Sequence, residues 1–218
     1  MNSKKILWAI IPARSGSKGL KNKNIKSLLG KPLLAHSINF AKKLRFVNKI
    51  ILSTDSKKYK KIGLKNGAEV PFLRSKKASK STSMEEDVLE DIRIKLLKDN
   101  TKPPDYILWL RPTCPLRSLK TYNQAYYKFK KTKKSICVVS RTDPRIFISK
   151  NNKLIPLNRN FKNKSMVRRH KDSSYITKSF PCDLGGYGHI SSIIKQLVHQ
   201  NELHPIIASK DNTGLVRK

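Results

Sequence analysis

Residues 6–24 read ILWAIIPARSGSKGLKNKN. The apolar run 6–11 has the length and β-branched content of a strand, and Pro12 ends it. The loop that follows contains glycines, which let backbone N–H groups point inward. It also contains four cations, namely Arg14, Lys18, Lys21 and Lys23. A strand followed by such a loop predicts a binding site for a polyphosphate.

The spacing of this loop differs from the two common phosphate-binding motifs. The later pair Gly30-Lys31 is followed by Pro32 and has no glycine five residues upstream, so it is not a P-loop. The loop does not contain G-x-G-x-x-G either. From these residues alone, a solvated basic loop after an edge strand stays the alternative.

Strand-like and helical patterns alternate along the chain. Strands are predicted at 6–11, 49–53, 69–73, 106–110 and 135–140. Four helices are predicted. The first begins at Pro32, and the second runs from 54–56 to about 66–67. The third begins at a capping box at 83–86, and the fourth follows the loop 111–117 and ends at about Lys131. The run 106–110 is apolar without alternation, which is typical of a parallel strand covered on both faces. The pattern predicts an α/β fold with a doubly wound, mostly parallel sheet that binds ligands at its carboxyl edge.

The later part of the chain has a weaker pattern. Short β-like pieces at 147–148 and 154–157 are joined by turns rich in Asn and Lys, and helical periodicity returns at 191–199. We expect a single domain over residues 1–218, with a small β-rich insertion at 141–187 that lies outside the central core.

The chain is strongly basic, with 48 Lys and Arg residues against 14 Asp and Glu residues and a formal net charge of +34. These cations are spread over the whole length rather than gathered in one segment. The charge predicts non-specific, salt-sensitive binding to nucleic acid. A basic nucleic-acid-binding protein is therefore an alternative function, one that depends on charge alone.

Cysteine usage and hydropathy bear on the compartment. Cys114, Cys137 and Cys182 are widely spaced and form no C-x-x-C pair, which is typical of reduced thiols in a cytoplasm. The apolar run near the N-terminus is short and has no small-residue cleavage site, so we expect no signal peptide. No segment approaches the roughly 20 apolar residues of a membrane span, so we expect a soluble cytoplasmic protein without a membrane partner.

Three motifs together resemble a known family. The order PARSGSKG at 12–19, then Lys23-Asn24, then LGKPL at 29–33 is similar to the CMP-sugar synthetases, the cytidylyltransferases that activate N-acylneuraminic acid and related acidic sugars. The resemblance covers about the first 120 residues well. It implies a Rossmann-like nucleotidyltransferase that transfers CMP from CTP to an acidic sugar and releases pyrophosphate. It also implies Mg2+ as cofactor and a homodimer in which 141–187 reaches the partner subunit and the sugar.

The resemblance assigns roles to residues of the loop. Arg14, Lys18 and Lys23 are the implied catalytic residues, placed against the triphosphate of CTP. The implied nucleotide-binding residues are Ala13, Ser15, Gly16, Ser17 and Asn24, together with Arg74 and Ser81 in a later segment. Asp55, at the end of the strand 49–53, is either a helix cap or a carboxylate beside the crevice, and cap chemistry is favoured.

A second motif, RPTCPLR at 111–117, is similar to the family's Gln-Pro-Thr-Ser-Pro-Leu-Arg. It implies that Arg111 and Thr113 bind the nucleotide and that Arg117 binds the carboxylate of the sugar as a planar fork. Arg111 stands where the family often has Gln. The Gly-Asp-Glu-Pro version typical of the eight-carbon Kdo branch is missing, which favours a nine-carbon nonulosonic acid.

The resemblance is thin near the end of the sequence. Arg168 and Arg169 stand where the family tends to have Arg-Gln, and either is implied to bind the sugar carboxylate. The family's late Asp-x-Asp pair, which holds Mg2+, is represented by the single carboxylate Asp211. Either the nucleotide supplies most ligands of the metal, or the chain is a catalytically impaired relative that binds a nucleotide or an anionic partner without turnover.

Overall fold

The secondary structure alternates as the sequence predicts. The structure, a computed structural model, describes residues 5–17, 19–141, 147–150, 153–156, 176–177, 183–186 and 204–207. The strands are β1 (Leu7–Pro12), β2 (Ser27–Leu28), β3 (Lys31–Pro32), β4 (Lys49–Ser53), β5 (Tyr106–Trp109), β6 (Ile136–Arg141), β7 (Phe147–Lys150), β8 (Lys153–Pro156), β9 (Ile176–Thr177), β10 (Asp183–Gly186) and β11 (His204–Ile207). The helices are α1 (Leu33–Lys42), α2 (Lys57–Lys65), α3 (Glu85–Lys98) and α4 (Leu119–Thr132), with 3-10 turns at Lys23–Ile25 and Lys77–Ser79.

The main sheet has the strand order β11-β6-β10-β5-β1-β4, and β9 pairs with β6. β1 is parallel to both of its neighbours, β4 and β5, and β6 is parallel to β11. β10 is antiparallel to β5 and to β6. The strand pairs β2–β3 and β7–β8 form separate two-stranded sheets. The predicted α/β class and mostly parallel sheet are confirmed.

β1 is buried on both faces, which explains its continuous apolar sequence. Leu7, Ala9 and Ile11 belong to one core cluster, with buried side chains of α1, α2 and α4. Trp8 and Ile10 belong to a second cluster, with the apolar face of α3. Because successive strand residues point to opposite faces, this sheet separates α3 from the other helices. The arrangement is the doubly wound one that the alternation predicts.

The direction of winding reverses at β1. The chain passes from β1 through α1 to β4 on one side, and then through α2 and α3 to β5 on the other side of β1. In open α/β sheets the loops leaving the carboxyl ends of two such strands diverge and leave a crevice between them. Here those loops are 13–24 after β1 and 110–117 after β5.

Several predicted boundaries shift. Pro32 precedes the first helical residue of α1 instead of being that residue. The predicted strand at 69–73 is wrong, because only Glu69 bridges to Ile51. Pro71 has no N–H with which to continue that pairing. The capping box at the start of α3 lies one residue later than predicted, since Met84 N–H donates to Oδ2 of Asp87 at 2.8 Å.

The predicted insertion 141–187 is composite. β7 and β8 form a hairpin of their own within it, as the short β-like pieces suggest. β10 falls inside the same range but pairs with β5 and β6 in the main sheet, so the expectation that this whole segment lies outside the core is wrong. The helix predicted at 191–199 lies outside the described residues. Within the part of the chain that the structure describes, no helix is both long and apolar enough to cross a membrane.

Candidate active site

A cavity of about 550 Å³ lies where β1 and β5 end. Its described lining contains four cations, Arg14, Lys23, Arg74 and Arg111, and one carboxylate, that of Glu85. Ser17, Asn24 and Thr113 of the predicted site also line it. Residues from four separate segments thus meet at the crevice that the strand order creates. We call this cavity the cleft.

The loop after β1 is folded by its own hydrogen bonds. Nη1 of Arg14 donates to the carbonyl of Gly16 at 2.6 Å, and the carbonyl of Arg14 accepts from Nδ2 of Asn24 at 3.0 Å. Ser17 N–H donates to the carbonyl of Ser15 at 3.0 Å. These bonds hold the Arg14 side chain against the loop at the wall of the cleft. Asn24, predicted to orient the nucleotide, is buried and also braces the loop.

Several backbone N–H groups of the loop are used inside the protein. Ala13 N–H donates to the carbonyl of Ser53 at 2.9 Å, which extends the pairing of β1 with β4. Ser15 N–H donates to Oδ1 of Asp55 at 2.8 Å. The expectation that these N–H groups face a phosphate is therefore wrong for Ala13, Ser15 and Ser17. Gly16 contributes its carbonyl to Arg14 and is absent from the described lining of the cleft.

Asp55 braces the loop, which corrects the favoured expectation of a helix cap. Its two carboxylate oxygens accept from Ser15 N–H at 2.8 Å and from Oγ of Ser15 at 3.0 Å. The cap of α2 is the next residue, Ser56, whose Oγ accepts from Tyr59 N–H. Burial and the nearby Asp55 charge both raise the pKa of Tyr59. The sequence placed Asp55 at a strand end, but its partner lies 40 residues away.

Arg74 is a buried cation at the floor of the cleft, only 8% exposed. Its Nε donates to Oγ of Ser53 at 3.1 Å and its Nη2 to the carbonyl of Ser53 at 2.8 Å. Burial lowers the pKa of Arg74 to about 10, although the negative charges of Asp55 and Asp91 oppose the shift. The side chain is therefore still a cation at neutral pH. Ser81, predicted beside it, is exposed and is not part of the described lining, where Ser83 stands instead.

Arg111 forms an ion pair across the cleft. Its Nη2 contacts Oε1 of Glu85, the first residue of α3. The two side chains are 38% and 21% exposed, respectively. Sequence reasoning did not identify Glu85 as a site residue, because nothing local connects the start of α3 with the loop after β5. The only signal in the sequence was Arg111 itself, a cation at the position where the family's similar motif often has Gln.

Arg117 is used inside the fold rather than in the cleft. Its three nitrogens donate to Tyr122 Oη at 3.2 Å, to Ser37 Oγ at 3.2 Å and to the carbonyl of Arg111 at 2.6 Å. Arg117 thereby ties α1 and α4 to the loop that carries Arg111. It lines a separate cavity of about 570 Å³, so the structure does not bring it together with the other predicted site residues. Lys18, Arg168, Arg169 and Asp211 lie outside the described residues.

The described residues do not build a magnesium site. They contain no group of three His, Cys, Asp or Glu side chains able to hold a metal ion. Glu85 is the one carboxylate of the described cleft lining, and it is paired with Arg111. Mg2+ usually takes one or two protein carboxylates together with phosphate oxygens and water. Magnesium as cofactor therefore stays a prediction.

The doubly wound sheet and the cationic cleft at its carboxyl edge are those of a nucleotide-binding α/β protein. The sequence model of the family described as Cytidylyltransferase matches residues 8–171, a range that includes the loop after β1, Arg74 and the loop after β5. The chain belongs to the cytidylyltransferase family.

Two curated relatives are similar to part of the chain. The CMP-N,N'-diacetyllegionaminic acid synthase of Legionella pneumophila is 40% identical over 136 residues, which are 62% of this chain and 57% of that protein. The pseudaminic acid cytidylyltransferase of Campylobacter jejuni is 38% identical over 120 residues, which are 55% of this chain and 51% of that protein. The chain thus spans about half the length of these curated relatives.

Solved structures support the fold. A crystal structure of 4-diphosphocytidyl-2C-methyl-D-erythritol synthase superimposes with a TM-score of 0.67 over 98% of this chain and 94% of that chain. The two sequences are 12% identical, so the likeness concerns the fold alone.

Proposed function

We propose that this chain transfers CMP from CTP to an acidic nine-carbon sugar and releases pyrophosphate. The observation that carries the proposal is the gathering of Arg14, Lys23, Arg74 and Arg111 around one cleft at the carboxyl edge of the sheet. Membership of the cytidylyltransferase family supports CTP as the nucleotide. The names of the relatives from Legionella pneumophila and Campylobacter jejuni support an acidic sugar as the acceptor.

The proposed reaction is an in-line displacement at phosphorus. The anomeric hydroxyl oxygen of the sugar attacks the α-phosphorus of CTP and loses its proton to the solvent. A new P–O bond forms, while the bond from the α-phosphorus to the oxygen shared with the β-phosphate breaks. Pyrophosphate leaves with that electron pair. Arg14 and Lys23 stabilise the negative charge that grows on the leaving group, because both cations line the cleft in which the triphosphate is proposed to bind.

The strand order supports the orientation of the two substrates. The loop after β1 lies between Arg74, on the β4 side, and Arg111, on the β5 side. In our proposal the triphosphate binds at this central loop, the loop after β1, and the cytosine base extends toward Arg74. The acceptor sugar then approaches from the side of Arg111. The homodimer and the cytoplasmic location stay predictions.

Pyrophosphate release tests the proposal directly. The assay contains CTP, Mg2+ and one of four acids: N-acetylneuraminic, legionaminic, pseudaminic or Kdo acid. We expect release with CTP and at least one nine-carbon acid, and none when ATP, GTP or UTP replaces CTP. Absence of release with every acid would contradict the transfer reaction. Release with Kdo alone would contradict the nine-carbon acceptor.

A second candidate function is binding of CTP without turnover. The observation that favours it is the single, already paired carboxylate of the described cleft, because nucleotidyl transfer commonly uses metal-binding carboxylates. Titration calorimetry with CTP distinguishes the two functions. Binding of CTP without any product would favour this candidate, and specific product formation would remove it.

A further inference from the structure

The cleft contains a carboxylate at a place where anions are expected to bind. Glu85 lines it in a chain that has only 14 Asp and Glu residues against 48 Lys and Arg residues. Its side chain is 21% exposed and paired with Arg111. A carboxylate here repels an anionic ligand unless a cation such as Arg111 neutralises it.

Formation of α3 does not depend on Glu85. The first turn already contains Glu86 and Asp87, which complement the positive end of the helix dipole. Asp87 also accepts the hydrogen bond from Met84 N–H. The ion pair Glu85–Arg111 is partly exposed, so solvent screens part of its attraction. The distinctive contact of Glu85 is therefore the one that it makes with a cation of the cleft.

The position of Arg111 indicates which ligand it meets. Arg111 follows β5, on the opposite side of the central loop from Arg74. With the nucleotide extending toward Arg74, the open side of the cleft at Arg111 is left for the acceptor. A guanidinium binds a carboxylate well because two parallel N–H groups match its two oxygens. Glu85 demonstrates that the site admits a carboxylate next to Arg111.

We propose that Glu85 is an internal competitor of the acidic sugar for Arg111 and thereby sets the affinity of the cleft for the acid group. Its carboxylate holds Arg111 in the ligand-free chain, and the carboxylate of the sugar replaces it on Arg111 when the substrate binds. This inference rests on the proposed function and names the residue pair that recognises the acid group. A sugar without a charged carboxylate leaves the pair intact, so the competition lowers the affinity for the acidic sugar alone.

Glu85→Gln tests the competition, because it keeps the size of the side chain and removes its charge. The KM for each nine-carbon acid is measured by pyrophosphate release at saturating CTP, and the Kd of CTP alone by calorimetry. We expect the KM of the acid to fall about tenfold and the Kd of CTP to change less than about twofold, because CTP leaves the pair in place. The methyl ester of the reactive acid should gain nothing from the substitution.

Glu86→Gln is the matched control. Glu86 lies in the same helical turn and carries the same charge but does not belong to the described lining of the cleft. We expect the KM of the acid to stay within about twofold of the parent value in this variant.

The outcomes separate this inference from the proposed function. Suppose that the parent chain releases pyrophosphate with an acid, but Glu85→Gln leaves the KM of that acid unchanged or raises it. The proposed function then stands, and this inference is overturned. An equal gain for CTP, for the ester or in Glu86→Gln also overturns it, because that result shows general repulsion rather than competition for Arg111. No turnover with any acid in the parent or in either variant overturns the proposed function and this inference together.

Discussion

Among the described lysines of the loop after β1, Lys23 lines the cleft. It is half-buried and begins the 3-10 turn Lys23–Ile25. Under the proposed function its charge faces the departing pyrophosphate. Loss of one fixed charge at such a place typically reduces turnover by two to three orders of magnitude. We therefore expect Lys23→Ala to lower kcat/KM about 100-fold, measured by pyrophosphate release, with an almost unchanged unfolding midpoint.

Lys26→Ala provides the control for this prediction. Lys26 is three residues further along, is exposed and is not part of the described cleft lining. It carries the same charge, so its removal corrects for the general loss of positive charge. We expect its kcat/KM to stay within about twofold of the parent. Activity of Lys23→Ala within threefold of the parent, or an equal loss in Lys26→Ala, would count against the role of Lys23.

The sequence predicted the residue types of the site better than their contacts. Arg14, Lys23, Arg74 and Arg111 do meet in one cleft, as expected from strand ends of a parallel sheet. The use of the loop's N–H groups was not predictable, because Ser15 is held by a carboxylate 40 residues further along the chain. Local patterns describe neighbours in sequence, whereas the crevice joins segments that are neighbours only in space.

At the scale of elements, α2 packs closely on β4 through a glycine. A Cβ added at Gly63 would lie 2.3 Å from Cδ2 of Leu52, which is fully buried. Either the buried Leu52 side chain must leave its rotamer or α2 must move away from the sheet, and we expect this cost to outweigh the gain in helix propensity of up to about 1 kcal/mol. We expect Gly63→Ala to lower the free energy of unfolding by about 2 kcal/mol, measured by urea denaturation.

A second substitution isolates this contact. Leu52→Val removes Cδ2, the atom closest to the added methyl group. Gly63→Ala should therefore cost at least about 1 kcal/mol less in the Leu52→Val background than in the parent. An identical cost in both backgrounds would show that some other contact limits the approach of α2 to the sheet.

α3 is anchored to the segment that carries Arg74 by a buried carboxylate. Asp91, whose side chain is 9% exposed, accepts from Nζ of Lys95 at 2.7 Å and from Ser75 N–H at 3.2 Å. Burial raises the pKa of Asp91, but the hydrogen bonds from Lys95 and Ser75 outweigh it and hold that pKa below its ordinary value. The ionised form is therefore bound more strongly in the folded chain than in the unfolded one.

This asymmetry gives a pH-dependent contribution to stability. It is fully present above the unfolded pKa of about 3.8 and is lost as pH falls through the lower folded pKa. Asp91→Asn should lower the free energy of unfolding by about 2 kcal/mol at neutral pH, and the difference from the parent should shrink below pH 3.8. Urea denaturation at a series of pH values measures both effects.

Glu90→Gln is the control on the same helix. Glu90 pairs with Arg93 at the surface, where both side chains are about half exposed. Such a pair contributes little, so we expect a change within about 0.5 kcal/mol at neutral pH. A difference between Asp91→Asn and the parent that persists undiminished in acid would contradict the role of the ionised carboxylate.

The elements themselves were predictable where one local signal dominates. Continuous apolar runs located β1, β4 and β5, and the helical spacing of Leu34, Ile38 and Ala41 matches the buried face of α1. The failures have local causes that compete with the pattern. Pro71 cannot donate to a strand, so 69–73 does not pair beyond Glu69. Oγ of Ser83 donates to the carbonyl of Lys77 instead of capping α3.

At the scale of the whole molecule, the dominant feature is an excess of 34 positive charges. The described residues form five ion pairs, several of them with exposed side chains, so they contribute little attraction to oppose the repulsion within this excess. Like charges on one compact body repel one another and destabilise the folded state. The same field attracts anions to the cationic cleft.

Salt should therefore change stability and binding in opposite directions. Raising NaCl from about 10 mM to about 150 mM shortens the screening length from roughly 30 Å to 8 Å, which weakens repulsion between distant cations. We expect the unfolding temperature to rise by several degrees over this range, while the affinity for CTP falls because its attraction to the cleft is screened too. Differential scanning fluorimetry and calorimetry with CTP measure the two effects in the same buffers. Retention on single-stranded DNA should disappear over the same range without sequence preference, since it depends on the same charge. An unfolding temperature that falls with added NaCl would mean that attractive ion pairs, rather than repulsion among the 48 cations, dominate the electrostatics of the folded chain.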